Sequence, residues 1–131
     1  MRRRRILYIV AICGLALGGS MFADDDKPVT SLFTPPIRRS SLGFQQCVIV
    51  NVSSKPIPVT VELRRSLDGL VLASTQCELP PEGDGGCTVL NGDVSLAYCK
   101  FTVPKKRSED VRGAGYALTS LGGVEAVVPA E

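Results

Sequence analysis

Turn-forming residues divide the chain after Cys47 into segments of about eight to twelve residues, and this spacing limits the fold more than any other feature. The interruptions are Pro56 and Pro58, Asp68-Gly69, the run 80–86, Asn91-Gly92, the run 104–110 and Leu121-Gly122-Gly123. Between them lie about seven segments that favour strands, and none has the 3.6-residue period of an amphipathic helix. The sequence therefore predicts an all-β fold, an antiparallel β-sandwich of about seven strands with immunoglobulin-like general architecture.

Three segments carry the clearest strand signals. The run Cys47–Val52 is rich in β-branched side chains. From Val59 to Arg64, aliphatic and polar side chains alternate, so one face of that strand is buried and the other contacts water. The run from Val94 to Val103 places apolar residues on both faces, which predicts a central strand.

The finer marks of an immunoglobulin domain are missing. Such a domain has a tryptophan near its core disulfide and a tyrosine two residues before the second cysteine. This chain has no tryptophan, and Tyr98 directly precedes Cys99. We therefore expect only the general two-sheet architecture.

The N-terminus has the layout of an export signal. Four arginines precede the apolar run from Ile6 to Leu17, and small residues lead to Ala23. The apolar run is too short to span a bilayer comfortably, so we expect cleavage after Ala23 and a periplasmic or extracellular product. A lipid anchor on Cys13 is the alternative, disfavoured because this cysteine comes too early in the apolar run.

The expected organisation is a signal peptide over residues 1–23, a flexible tether over 24–45 and one β-sandwich domain over 46–131. Prolines interrupt the tether, and we expect it to be extended and mobile. Its acidic start, Asp24–Asp26, lacks the spaced oxygen ligands and turn glycine of a calcium loop, so we interpret it as a soluble new N-terminus.

Four cysteines remain after cleavage, and an even number in a short exported chain predicts two disulfides. Cys77 and Cys87 flank a Pro/Gly-rich loop, which favours that pair and leaves Cys47 with Cys99, although the sequence permits three pairings. A four-thiolate zinc site and a redox dithiol are alternatives. Both are disfavoured because the chain has no C-x-x-C spacing.

Composition argues against catalysis. The chain has no histidine, which removes the commonest general base and the commonest metal ligand. Serines therefore lack an activating imidazole, and the carboxylates fall mainly in expected loops. We predict no enzyme activity, no catalytic or metal site and no cofactor. With eleven basic and thirteen acidic residues after cleavage, we expect no nucleic-acid binding.

Two surface motifs allow other interpretations. Lys105, Lys106 and Arg107 form a candidate contact for phosphate, lipid head groups or an acidic glycan. The neighbouring acidic residues favour an ordinary solvated loop instead. Asn51-Val52-Ser53 matches a glycosylation acceptor, a motif that is also common by chance.

Several stretches resemble a loose group of short exported bacterial proteins without an assigned activity. They are CVIVNVSSKPIPVTVEL, PPEGDGGC, YCKF and VRGAGYAL, which lie within Cys47 to Leu118. The resemblance implies a compact β domain and assigns no site. We expect a non-enzymatic, disulfide-stabilised binding or envelope-associated module with a protein or glycan partner, and a monomer is favoured. The alternative is a structural or adhesive subunit that associates through an exposed strand edge.

Overall fold

The computed structural model describes residues 28–131. The expected signal peptide, Cys13 and Asp24–Asp26 lie outside the described residues. Within them the chain forms nine strands and two short 3-10 helices. The strands are β1 (Val29–Phe33), β2 (Ile37–Arg38), β3 (Phe44–Asn51), β4 (Ile57–Arg65), β5 (Val71–Leu79), β6 (Gly86–Asn91), β7 (Leu96–Pro104), β8 (Val111–Leu118) and β9 (Val124–Pro129). The 3-10 helices are Pro81–Gly83 and Lys105–Asp110.

The strands form two antiparallel sheets. Sheet A has the order β1-β7-β4-β5, with β2 also pairing with β7, and sheet B has the order β6-β3-β8-β9. The two sheets pack face to face around the core. The all-β, sandwich-like prediction is therefore confirmed.

The core lies between the inner faces of the sheets and follows the alternation in the sequence. Val59, Val61 and Leu63 of β4 are completely buried, as expected. Strand β7 lies between β1 and β4, and its Phe101 is the largest buried side chain. Each aliphatic or aromatic side chain buried in this way contributes about 1.5–3 kcal/mol.

The immunoglobulin-like part of the prediction is not established by the strand order. Strands β7 and β8 follow each other in sequence but lie in different sheets. The N-terminal strand β1 lies beside β7 instead.

The prediction of a flexible tether over residues 24–45 requires correction from residue 29 onward. Val29–Phe33 pairs with one edge of β7, and Ile37–Arg38 pairs with the same edge farther along. Prolines 35 and 36 interrupt the ladder, as expected from their missing N–H groups. The prolines do not release the segment, because the edge of β7 that does not pair with β4 forms hydrogen bonds with the residues before and after them.

Thr34 bridges the interruption. Its Oγ1 accepts a hydrogen bond from the Cys99 N–H at 2.9 Å, and its own N–H donates to the Cys99 carbonyl at 3.1 Å. Beyond it, Ile37 is buried in the core. Residues 29–38, which we call the N-terminal arm, are therefore held by backbone pairing with β7, by the hydrogen bonds of Thr34 and by the buried side chain of Ile37.

Two disulfides connect the sheets, and they are the pairings that the sequence favoured. Cys47 of β3 is bonded to Cys99 of β7 across the core, with both residues completely buried and Cα atoms 5.7 Å apart. Cys77 of β5 is bonded to Cys87 of β6 and joins one edge of each sheet. No helix within residues 28–131 is long and apolar enough to cross a membrane.

Candidate interaction face

The basic run predicted as a surface contact lies in the second 3-10 helix. Lys105 and Lys106 are exposed. Arg107 is used structurally, because its Nε donates to Asp110 Oδ2 at 2.6 Å and its Nη2 donates to Ser53 Oγ at 2.7 Å. The structure therefore leaves two of the three predicted cations facing solvent and commits the third to its own fold.

A shallow pocket of about 370 Å³ lies beside this helix. Its lining consists of Pro28, Pro58, Pro104, Lys106 and Arg107. Three of these five residues are prolines, and Arg107 is already paired with the Asp110 carboxylate. The pocket therefore offers Lys106 as its main cation for an anionic ligand.

A second pocket, of about 340 Å³, lies at the turn between β4 and β5, beside the connection from β6 to β7. Arg65 lines it and forms two hydrogen bonds to the Asp68 carboxylate, at 2.9 and 2.5 Å. This pairing, with a hydrogen bond from the Leu70 N–H, lowers the pKa of Asp68 to about 2. These charges stabilise the turn and leave no unpaired charge directed at the pocket.

Asn51 is not available as a glycosylation acceptor. The residue is completely buried at the end of β3. Its Nδ2 donates to the carbonyl oxygens of Lys55 at 2.6 Å and Leu79 at 3.4 Å, and its Oδ1 accepts from the Ser53 N–H at 2.8 Å. The side chain therefore has a structural role in the folded chain.

The outer face of sheet A is polar and ion-paired. Glu62 of β4 accepts a hydrogen bond from Arg64 at 2.9 Å and lies 3.9 Å from Lys100 Nζ of β7. The hydrogen bond to Glu62 raises the pKa of Arg64. Thr60 and Thr102 face each other across the same two strands. This is the pattern expected of a sheet whose outer face contacts water.

The outer face of sheet B has the opposite character. Alternation along β3 places Cys47 and Ile49 in the core, so Val48 and Val50 lie on the outside. The cross-strand register arranges the outer positions of sheet B in four rows. They are Val50 and Arg112; Thr88, Val48, Ala114 and Pro129; Leu90, Gln46, Tyr116 and Val127; and Phe44, Leu118 and Val124. We call this surface the apolar face.

The apolar face reaches solvent. Val124 and Val127 of β9 are 59% and 53% exposed, and Leu90 of β6 is 49% exposed. Among the four rows only Arg112 is ionised, and it lies at one end. Contiguous apolar surface of this kind is uncommon on monomeric proteins and marks interaction sites.

The sequence contains one signal for this face, which the alternation of apolar and polar residues along β4 does not reveal. A strand with one wet face alternates apolar and polar residues, whereas the run from Cys47 to Val50 has no polar residue. Val48 and Val50 therefore indicate a strand with apolar groups on both sides. Tyr116 and Val127 join this face only because β8 and β9 pair beside β3, and the sequence of a single segment does not specify that pairing.

Comparison with protein-family models, with curated proteins and with solved structures finds no match to this chain.

Proposed function

We propose that this protein is an exported, non-enzymatic interaction module that binds a protein partner through the apolar face of sheet B. The observation that carries the proposal is the difference between the two outer faces. Sheet A presents an ion-paired polar surface, whereas sheet B presents four rows of mainly apolar side chains. Both sheets belong to the same small domain, so the difference identifies the side on which a partner binds.

The disulfides support export. Cys47–Cys99 and Cys77–Cys87 form where the environment is oxidising, outside the cytoplasm. Together with the signal-like N-terminus, they support a periplasmic or extracellular location. The absence of histidine and the use of Arg107 and Arg65 in internal pairs support a binding role over catalysis.

A protein partner is favoured over a glycan. Glycan sites combine aromatic platforms with polar groups, whereas the two aromatic side chains of the apolar face, Phe44 and Tyr116, lie in different rows among mainly aliphatic residues. A flat aliphatic surface complements another protein surface of the same kind, because apolar burial is non-directional.

Association through a strand edge is a second candidate function. Strand β9 is exposed along most of its length and pairs only with β8 among residues 28–131. An exposed edge can accept a further strand. Glu125 and Pro129 on this strand, and its register shift opposite Leu118, are features that limit edge pairing, so we rank this candidate second.

Site-specific photo-crosslinking in cells that export the protein tests the proposal. A photoreactive phenylalanine analogue replaces Val127 on the apolar face or, as the matched control, Gln76 on the outer side of sheet A. Both positions are exposed, and both lie on edge strands. We expect protein adducts from position 127 and none from position 76. Equal adducts from both positions, or none from 127, would show that the apolar face is not the binding surface.

A further inference from the structure

We infer that the partner of the apolar face is a second copy of this chain, so that two molecules pack sheet B against sheet B as a symmetric dimer. This inference rests on the proposed function and names the partner. It replaces the monomer favoured by the sequence with a reversible dimer. Three properties of the apolar face support it: its area, its charge distribution and its position relative to the N-terminal end of the described chain.

The area is sufficient for a weak dimer. Four strands spaced about 4.8 Å apart, each contributing up to seven residues of about 3.4 Å, give a face of about 19 by 24 Å. Two such faces in contact remove about 900 Å² of total surface from water, which is slightly below the roughly 1,000 Å² of a stable specific interface and is in the range of weak, transient contacts. The packing repeats the way in which the inner faces of the two sheets already stack. We therefore expect a reversible dimer rather than a permanent one.

The charges at the two ends of the face are complementary under two-fold symmetry. Arg112 begins β8 in the row with Val50, at one end of the face. Glu125 lies at the other end, beside Val124 in the register shift between β9 and β8. A two-fold axis that runs across the strands, in the plane between the stacked sheets, reverses the order of the rows. It places Arg112 of each copy beside Glu125 of the other.

In this arrangement each charged end of the face meets the opposite charge on a second copy, so no other kind of partner is needed to pair with Arg112 or Glu125. Between these two ends, the rows are uncharged, so two copies meet without like-charge repulsion in the middle. A membrane surface would favour a rim of several basic side chains, whereas Arg112 is the only cation in the rows. A second copy therefore fits this charge pattern better than a lipid surface.

The residues before Pro28 are a less suitable occupant. Val29 pairs with Pro104 on the outer side of sheet A, so the described chain begins on the side of the sandwich that faces away from the apolar face. A segment entering from Pro28 must pass around a sheet edge before it reaches β3 or β8. A second copy meets the whole face directly.

Sedimentation equilibrium tests the inference on protein purified from exporting cells with its disulfides intact. Over a series from about 1 µM to about 1 mM, we expect the mass to rise from one chain to two and no further. Val127→Lys should keep the protein monomeric throughout this range, because it buries a charge in each half of the interface. Gln76→Lys, which adds the same charge to the outer side of sheet A, should dimerise like the unmodified protein.

A charge exchange tests the symmetry. Arg112→Glu and Glu125→Arg should each weaken the dimer about fivefold, because each brings like charges together at both ends of the interface. The double variant should restore the original dissociation constant. Independent effects of the two substitutions would exclude the arrangement with the axis across the strands, and the inferred dimer would be wrong.

The remaining outcomes separate this inference from the proposed function. A monomer at every concentration, or assemblies larger than two chains, would overturn the dimer. If position 127 nevertheless yields crosslinks to a different protein in cells, the interaction module stands and only self-association fails. If neither the crosslinks nor the dimer is observed, both proposals fail.

Discussion

Ile37 of β2 occupies the space directly above Gly115 of β8, although these residues belong to different sheets. A β-carbon at position 115 would collide with Ile37 Cδ1 and would lie 3.2 Å from Cys99 Sγ. The missing side chain therefore allows the N-terminal arm to close the sandwich beside the buried disulfide. Ile37 is only 2% exposed, so it has little room to move.

Gly115→Ala should lower the free energy of unfolding by about 1–3 kcal/mol, because an added methyl group overpacks this contact. The midpoint of denaturant unfolding measures the loss. Combining Gly115→Ala with Ile37→Ala should cost less than the sum of the two single losses, since the new methyl enters the space that the isoleucine vacates. Additive losses would show that the two residues do not share this space.

Asn51 predicts a second stability effect. Asn51→Ala should cost about 1–3 kcal/mol, because the Leu79 carbonyl oxygen loses a donor in a buried environment and the Lys55 carbonyl oxygen loses one in a partly buried environment. Ser54→Ala, at an exposed neighbouring site, should change stability by less than about 0.5 kcal/mol. Chemical denaturation compares the variants. Similar losses from both would contradict the role given to the buried amide.

The two disulfides should contribute unequally. Cys47–Cys99 closes a separation of 52 residues and Cys77–Cys87 one of 10. The chain-entropy model then gives about 4 kcal/mol for the longer bridge and about 3 kcal/mol for the shorter one. Replacing both members of the longer pair by alanine should therefore destabilise more, and it also removes packed sulfur atoms from the core. Thermal unfolding under oxidising conditions checks the order, and the reverse order would contradict this account.

Asp68 predicts a small acid dependence. Its pKa in the folded chain is about 2, below its ordinary value of 3.8, because Arg65 and the Leu70 N–H stabilise the ionised carboxylate. The ionised form therefore contributes stability above about pH 4, and that contribution is lost as the pH falls toward 2. NMR titration of the Asp68 carboxyl measures the pKa directly. Asp68→Asn should remove this part of the pH dependence, and a measured pKa near 3.8 would contradict it.

The prediction of the two disulfides illustrates what local reasoning provides. The loop between Cys77 and Cys87 favours a short bridge, because its ends must return close together. The strands that carry Cys47 and Cys99 were both recognisable from composition, which left them as the second pair. The sequence did not specify that the long bridge crosses from sheet B to sheet A.

The N-terminal arm illustrates the opposite case. Residues 29–38 have Pro28 before them and Pro35 and Pro36 among them, and they have no hairpin partner nearby, so local preference favours an unpaired segment. Their partner is β7, which lies more than fifty residues away along the chain. Pairing over that distance depends on which edge the other strands leave open, and the arm alone carries no information about it.

The sequence alone determined the elements that depend on near neighbours: the turn positions, the alternating face of β4, the all-β class and the cysteines available for bridges. Tertiary structure decided which strands share a sheet, where Ile37 enters the core and which side chains from β3, β6, β8 and β9 meet on the apolar face. The physical reason is that turn and strand preferences arise from a few adjacent residues, whereas a surface spanning four strands arises from pairings between distant ones.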